Sequence, residues 1–276
     1  VSHSIGTQLS GVRYRKPEQA EGFPFTVPSI ASLDSMPLET PVTVLVGENG
    51  TGKSTFMEAL AIAAKLPAVG SSRLETDKTL MAQRRLANRL RLMWRGRTHR
   101  GFFLRAEDFF GFQKQLASMR AEHEAEVARI DRDLAGSSNY ARTLAKGPHR
   151  ASIGQMEGQY GRNPDAASHG EAFLNLFAQR LVPQGLFLLD EPEAALSPQS
   201  QLGFLAMIRD SVRTGSQFVI ATHSPILMAI PGATIYSFDN GAVSPVGFDD
   251  LESVTLVRDF LQAPERYLRR IWEDQE

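Results

Sequence analysis

The sequence contains no cysteine, which excludes structural disulfides and thiolate metal sites. No run approaches the roughly 18 consecutive apolar residues that a membrane-spanning helix needs, and the first residues lack the apolar stretch of a signal peptide. The net charge is only −1, so bulk charge gives no general affinity for polyanions. These absences predict a cytoplasmic protein without a transmembrane segment, and 276 residues are ample for a well-buried core.

A glycine-rich segment carries the clearest chemical signal. Residues 47–55 read GENGTGKST, which fits the phosphate-binding pattern G-x-x-x-x-G-K-[ST]. The apolar run 41–46 before it predicts a strand, and 53–66 predicts a helix. Backbone N–H groups of such a loop point at a polyphosphate, the lysine adds positive charge, and the serine hydroxyl can bind Mg²⁺. The predicted nucleotide site comprises Gly47, Glu48, Asn49, Gly50, Thr51, Gly52, Lys53, Ser54 and Thr55.

Two acids follow a second apolar run. LFLLDEPE (186–193) predicts a buried strand with carboxylates at its C-terminal end, where ligands bind in open α/β sheets. Asp190 is the candidate Mg²⁺ ligand, and Glu191 the candidate base that orients and deprotonates the attacking water. A plain strand and turn, with acids capping the next helix, is the alternative. The upstream phosphate loop favours the functional interpretation.

Two further segments are candidates for contact with the γ-phosphate. ATHSP (221–225) ends another buried strand, so His223 is placed to contact that phosphate or the water, although a lone histidine is often structural. SHGEAF (168–173) predicts a helix whose first N–H groups, at Ser168 and Gly170, can bind an anion. Ser168 and Glu171 also fit an ordinary capping box, which is the alternative for this segment.

Strands that alternate with helices predict an α/β fold with a parallel or mixed sheet flanked by helices. An antiparallel β portion is expected at the N-terminus and a helical insert in the middle, within a single domain 1–276 that has a helical subdomain at about 70–182. The further predicted elements are strands at 9–15, 23–30 and 102–110, helices at 73–100, 112–134, 172–182 and 198–213, a mobile loop at 136–170, a hairpin at 234–246, and a C-terminal helix 249–274 interrupted at Pro264.

The order of these motifs resembles the ATP-binding-cassette (ABC) class of P-loop ATPases. SHGEA resembles a degenerate form of that class's LSGGQ signature, AALSP (194–198) resembles its D-loop, and His223 resembles its switch histidine. GENGTGKST and the DEPE ending are more similar to soluble heads related to the structural-maintenance-of-chromosomes, double-strand-break-repair and overcoming-lysogenization-defect ATPases than to transporter cassettes. The resemblance covers essentially the whole chain.

The resemblance implies an ABC-ATPase-like fold and an ATPase that uses ATP and Mg²⁺. Two nucleotides would be sandwiched in an ATP-induced homodimer, with Ser168 and Gly170 reaching the γ-phosphate from the opposite subunit. The residues acting within one subunit would be Lys53, Ser54, Asp190, Glu191 and His223.

The chain departs from the class at several positions. Ser197 replaces the usual D-loop aspartate, and His169 stands where the signature usually has glycine. Glu107 and Gln113 are the candidates for the Q-loop residue. Tyr14, Phe23 and Phe25 are the candidates for stacking on adenine, with core packing as the alternative for each.

Residues 73–105 contain ten lysines and arginines and only two acids. Such a stretch can follow a nucleic-acid backbone. The alternative is a solvated helix face whose arginines pair with the acidic segment 122–133. The sequence thus leaves three functions open: an ATPase head that dimerises on ATP and acts on a partner such as nucleic acid, the ATPase subunit of a membrane transporter, and a nucleotide-gated switch with little turnover.

Overall fold

The computed structural model describes residues 8–19, 22–69, 78–160 and 169–272. Ten helices and nine strands lie in these ranges, besides short 3₁₀ turns. In chain order they are β1 (Leu9–Tyr14), α1 (Pro28–Ser32), β2 (Ser35–Pro37), β3 (Val42–Val46), α2 (Lys53–Ala64), α3 (Met81–Ala87), β4 (Leu90–Trp94), β5 (Gly101–Arg105), α4 (Ala106–Asp133), α5 (Asn139–Tyr160), α6 (His169–Arg180), β6 (Leu186–Asp190), α7 (Pro198–Arg213), β7 (Gln217–Ala221), α8 (Pro225–Met228), β8 (Thr234–Ser237), β9 (Ser244–Val246), α9 (Glu252–Gln262) and α10 (Pro264–Trp272).

The central sheet has six strands in the order β5-β6-β7-β3-β8-β9. All neighbouring pairs are parallel except β8 and β9, which form the predicted antiparallel hairpin at the edge. Strands β3, β6 and β7 are buried at every position, as their largely apolar sequences predict when helices cover both faces. The α/β fold class is therefore confirmed, and the C-terminal ends of β3, β6 and β7 share one edge.

Two apolar clusters cover the two faces of this sheet. Within β3, Leu45 belongs to the cluster that includes α2 and the N-terminal strands, whereas Val42, Val44 and Val46 belong to the cluster that includes α6 and α7. This alternation is the strand period of two. Across the described ranges, no helix has both the length and the apolarity that a bilayer crossing requires.

A second, three-stranded antiparallel sheet has the order β2-β1-β4 and confirms the expected N-terminal antiparallel portion. Its strand β4 corrects the predicted basic helix at 73–100. Among its described residues, 78–100, only Met81–Ala87 is α-helical, and Leu90–Trp94 pairs with β1 instead. Leu90, Leu92 and Trp94 pack on the core at alternate positions, so a period of two was present in the sequence.

The predicted strand at 23–30 is also wrong. Pro28 begins the short helix α1 instead, a position where the missing N–H of proline costs nothing. The predicted strand at 102–110 ends at Arg105, where α4 starts, so Glu107 and Gln113 are helical residues.

The predicted mobile loop at 136–170 is mostly the helix α5, despite Pro148 within it. This helix pairs with α4 through Lys146 and Asp131 (2.6 Å) and through Arg120 and Glu157 (3.1 Å). Packing against α4 therefore outweighs the low helix propensity of its glycines and proline. Three of the five acids of 122–133 pair with cations of this same α4–α5 hairpin, namely Glu124 with Arg120, Glu126 with Arg129 and Asp131 with Lys146.

Candidate nucleotide-binding site

The glycine-rich loop joins β3 to α2 and curls around the side chain of Lys53. Gly47, Gly50 and Gly52 have φ values of 145°, 82° and 100°, which residues other than glycine rarely adopt. A Cβ on Gly47 would lie 3.0 Å from both Thr51 Oγ1 and Asp239 Oδ1. Asp239 also accepts a hydrogen bond from the Glu48 N–H at 2.8 Å. The loop is thus held as a compact cradle by its own residues and by the turn after β8.

Lys53, the first residue of α2, lies inside this cradle with only 4% of its surface exposed. Its Nζ donates to the carbonyl oxygens of Gly47 (2.6 Å) and Glu48 (2.8 Å). Burial lowers the pKa of Lys53, while the carboxylates of Glu191 and Asp239 oppose that shift. The ammonium therefore faces the space that the loop encloses, as a phosphate-binding lysine must.

Asp190 and Ser54 meet where β6 ends and α2 begins. Ser54 Oγ donates to Asp190 Oδ1 at 3.3 Å. Burial raises the pKa of Asp190 from 3.8 to about 7, against the opposing effects of the Ser54 hydrogen bond and the Arg105 charge. A carboxylate and a hydroxyl this close are the hard oxygen ligands that Mg²⁺ takes alongside phosphates and water, so the predicted metal residues fit that ion.

Arg105 is a site residue that sequence reasoning missed. It ends β5, is paired in register with Asp190, and lies 3.8 Å from that carboxylate through its Nε. Its Nη1 contacts Oε1 of the buried Glu58 on α2 at 2.7 Å, and its Nη2 contacts Glu107 at 3.3 Å. Burial acts to lower the pKa of Arg105, but Glu58 and Asp190 outweigh it and the pKa is raised. The available sequence signal for the Arg105–Glu58 pair was Glu58 itself, the one charged residue in the apolar part of helix α2 after Thr55.

Glu191 and His223 lie at the same sheet edge as Asp190. Glu191 has φ 52°, outside the range that strands and helices use, and its N–H donates to the Ala221 carbonyl at 2.8 Å. The His223 Nε2 is 3.6 Å from Glu191 Oε1, and both side chains are about 40% exposed (39% and 42%). Glu193 accepts the His223 N–H at 2.6 Å, which fixes the backbone of that histidine.

A cavity of about 190 Å³ opens in front of the loop, and it contains several of the predicted residues. It is lined by Phe23, Val27, Asn49, Gly50, Gly52, Lys53, Ser54, Thr55 and Glu191. Of the three aromatic candidates for adenine, Phe23 is 52% exposed and lines this cavity, whereas Tyr14 and Phe25 are buried in the core. The core interpretation is therefore wrong for Phe23 and right for the other two.

The described part of the signature segment does not line this cavity. Ser168 is outside the described residues. Gly170 is in the first turn of α6 and is buried, and a Cβ there would come within 3.1 Å of Ser200 Oγ. Ser197, which replaces the D-loop aspartate, caps α7 by accepting the Ser200 N–H at 3.2 Å. The start of α6 is therefore packed beside the D-loop, and the cavity lining of this copy does not include it.

Comparisons with known proteins give the class of the chain. A family model described as "AAA domain, putative AbiEii toxin, Type IV TA system" matches residues 155–229. The energy-coupling factor transporter ATP-binding protein EcfA2 of Streptococcus sanguinis is 24% identical over 90% of this chain and 85% of its own length. The cobalt import ATP-binding protein CbiO of Salmonella typhimurium is 27% identical over 74% of this chain and 69% of its own length.

Among solved structures, an Smc head domain from Pyrococcus furiosus has a TM-score of 0.46 and 12% identity, covering 92% of this chain and 99% of that one. The family model and the curated relatives agree with the motif order in supporting an ABC-type P-loop ATPase.

Proposed function

We propose that this chain binds ATP with Mg²⁺, hydrolyses it, and uses the bound nucleotide to hold two copies of itself together. The observation that carries the proposal is the convergence of three strand ends at one edge of the sheet. Lys53 and Glu191 line the cavity there, Asp190 contacts Ser54, and His223 lies 3.6 Å from Glu191. β3 brings the loop with Lys53, β6 brings Asp190 and Glu191, and β7 brings His223. The relatives that are named as ATP-binding proteins support the same activity.

Within the site, each residue has a separate part. The loop N–H groups and Lys53 bind the phosphates, which replace the loop carbonyls as partners of the ammonium. Ser54 and Asp190 would hold Mg²⁺, which neutralises charge that develops on the phosphates. Glu191 accepts a proton from the attacking water, and His223, 3.6 Å away, orients that water or the γ-phosphate.

The exposure of Glu191 and His223 supports a shared site. A base about 40% exposed works poorly in open water, because electrostatic stabilisation needs a dry environment. A second copy that places the α6 N-terminus, with Ser168 and Gly170, over the cavity would exclude that water and add N–H donors. The homodimer, its ATP dependence and these two residues remain parts of the proposal.

Turnover of the Glu191→Gln variant tests the activity. We expect wild-type protein to release phosphate from ATP in the presence of Mg²⁺. We expect the variant to bind ATP normally and to lose about 10²-fold or more in turnover, because a positioned base contributes about that much. Glu252→Gln, which changes an exposed acid on α9, is the matched control. A Glu191→Gln variant as active as wild type would contradict the assignment of Glu191 as the base. Wild-type protein that binds ATP without turnover would favour the nucleotide-gated switch instead of an ATPase.

A second candidate function is favoured by the names of the relatives. EcfA2 is described as part of an energy-coupling factor transporter and CbiO as part of cobalt import. On that basis this chain would be the ATPase subunit of a membrane transporter. Association of two copies around ATP would then need the membrane partner. The DEPE ending and the unusual signature favour the self-sufficient head, for which nucleic acid is the proposed partner class and the cytoplasm the predicted location.

A further inference from the structure

The outer face of the β2-β1-β4 sheet concentrates arginines in a regular pattern. Arg13 of β1 lies directly opposite Arg91 of β4. Two residues further along, Arg15 follows β1 and its N–H donates to the carbonyl of Arg89 at 2.9 Å. All four side chains are exposed, because they alternate with residues that point into the core. We call these four residues the arginine quartet.

Such a pattern is unfavourable in isolation. Opposite residues on antiparallel strands have Cβ atoms about 5 Å apart, and like charges placed directly opposite are destabilising. The quartet repeats that arrangement in two successive rows, which are about 7 Å apart along the strands. The two acids that flank β2 each have another cation within reach: Asp34 pairs with Lys16 at 2.8 Å, and Glu39 lies 4.0 Å from Arg95.

We propose that the arginine quartet binds the phosphate backbone of nucleic acid. Guanidinium groups suit phosphate because they donate in a fixed bidentate geometry. Bound phosphates would also relieve the repulsion between the two rows. The proposal deepens the partner assignment made above and does not depend on ATP hydrolysis.

The composition of the face also specifies the mode of binding. Trp94, the one aromatic residue of β4, is packed on the core and is not available to stack on a base. Surfaces that enter a bilayer carry exposed large apolar residues among their cations. Here Ser35 and Pro37 of β2 are the exposed neighbours, and the apolar Met93 of this face lies half-buried over Gly11. The face therefore fits backbone contacts without sequence preference, and a membrane or an acidic protein is the less suitable occupant.

Binding of a short labelled DNA duplex of mixed sequence tests the proposal. We expect salt-sensitive binding by the wild-type chain. The double variant Arg13→Gln with Arg91→Gln should bind about tenfold more weakly at low salt, and the slope of log affinity against log salt should fall by about 2. Arg13→Lys with Arg91→Lys keeps the charge and should retain most of the binding. ATP turnover, measured separately, should not change.

The matched control is Arg209→Gln with Arg213→Gln. It removes two exposed arginines from α7, which packs on the opposite face of the central sheet. An equal loss of DNA affinity in the control and in the quartet glutamine variant would overturn the proposal. Wild-type protein that binds phosphatidylserine vesicles or polyglutamate but not DNA would also overturn it. The quartet glutamine variant should also unfold at the same or a higher temperature than wild type without DNA. A clearly lower unfolding temperature of this variant would mean that the arginines stabilise the fold, and it would overturn the proposal as well.

Discussion

At the residue scale, Asp190 shows the cost of burying a carboxylate, here one that we propose as a metal ligand. The side chain is 4% exposed, and burial raises its pKa to about 7 although Ser54 and Arg105 both favour the charged form. A protonated carboxyl is a poor metal ligand. Occupation of this residue by Mg²⁺ should therefore become easier as the pH rises through 7.

The same pKa shift makes stability depend on pH. Because the folded pKa lies above the ordinary 3.8, folding favours the protonated form, so Asp190 costs stability progressively as the pH rises from about 4 to about 7. Asp190→Asn removes that cost. We expect the difference in unfolding free energy between variant and wild type to grow by about 2 kcal/mol between pH 5 and pH 8.

Urea unfolding without nucleotide or Mg²⁺ measures this difference. Asp259→Asn, at an exposed position of α9, is the control and should show no such growth. A difference between Asp190→Asn and wild type that stays constant with pH would contradict the raised pKa.

The residues of short motifs could be predicted because their chemistry is local. GENGTGKST fixes a loop by its glycines, and the acids after LFLLD follow from the end of a buried strand. Arg105 and Glu58 could not be found in that way. They are 47 residues apart in the sequence and meet only through the packing of β5 on α2.

At the element scale, two wrong predictions of secondary structure have a physical cause. In 73–100, charged residues hid the alternation of Leu90, Leu92 and Trp94 that defines β4 as a strand. In 136–170, glycines and Pro148 suggested a loop, but α5 is stabilised by ion pairs with α4 that no local pattern shows. Strand pairing and helix packing are tertiary effects, and they override local propensity.

Arg105, at the end of β5, contacts acids on α2, α4 and β6, so its removal should weaken the packing between these elements. Arg105→Met leaves Glu58 buried without its cation, so we expect a loss of about 3 kcal/mol in unfolding free energy near pH 8. Adding Glu58→Gln should recover part of that loss, because the unpaired charge is then absent. The pKa of Glu58 is already raised by burial, so the loss should shrink at low pH.

Chemical unfolding of the single and double variants checks this coupling. Arg209→Met is the control at an exposed arginine and should leave the unfolding free energy nearly unchanged. If Arg105→Met is no more destabilising than the control, or if the double variant is the less stable of the two, Arg105 does not hold these elements together.

At the scale of the whole molecule, the account depends on two copies sharing a site. One copy provides the loop, Asp190, Glu191 and His223, and leaves Glu191 and His223 about 40% exposed. The α6 N-terminus lies beside the D-loop of the same copy, apart from its own cavity. If this helix end binds an anion as we propose, it can serve a nucleotide only when a second copy brings it across.

The mass of Glu191→Gln in solution, with and without ATP and Mg²⁺, tests this claim most directly. Slow turnover should preserve the ATP-bound form, so light scattering should show 30.4 kDa without nucleotide and twice that mass with it. Lys53→Ala, which removes the phosphate-binding cation, should stay monomeric throughout. A Glu191→Gln protein that demonstrably binds ATP and yet keeps the mass of one copy would contradict the shared site.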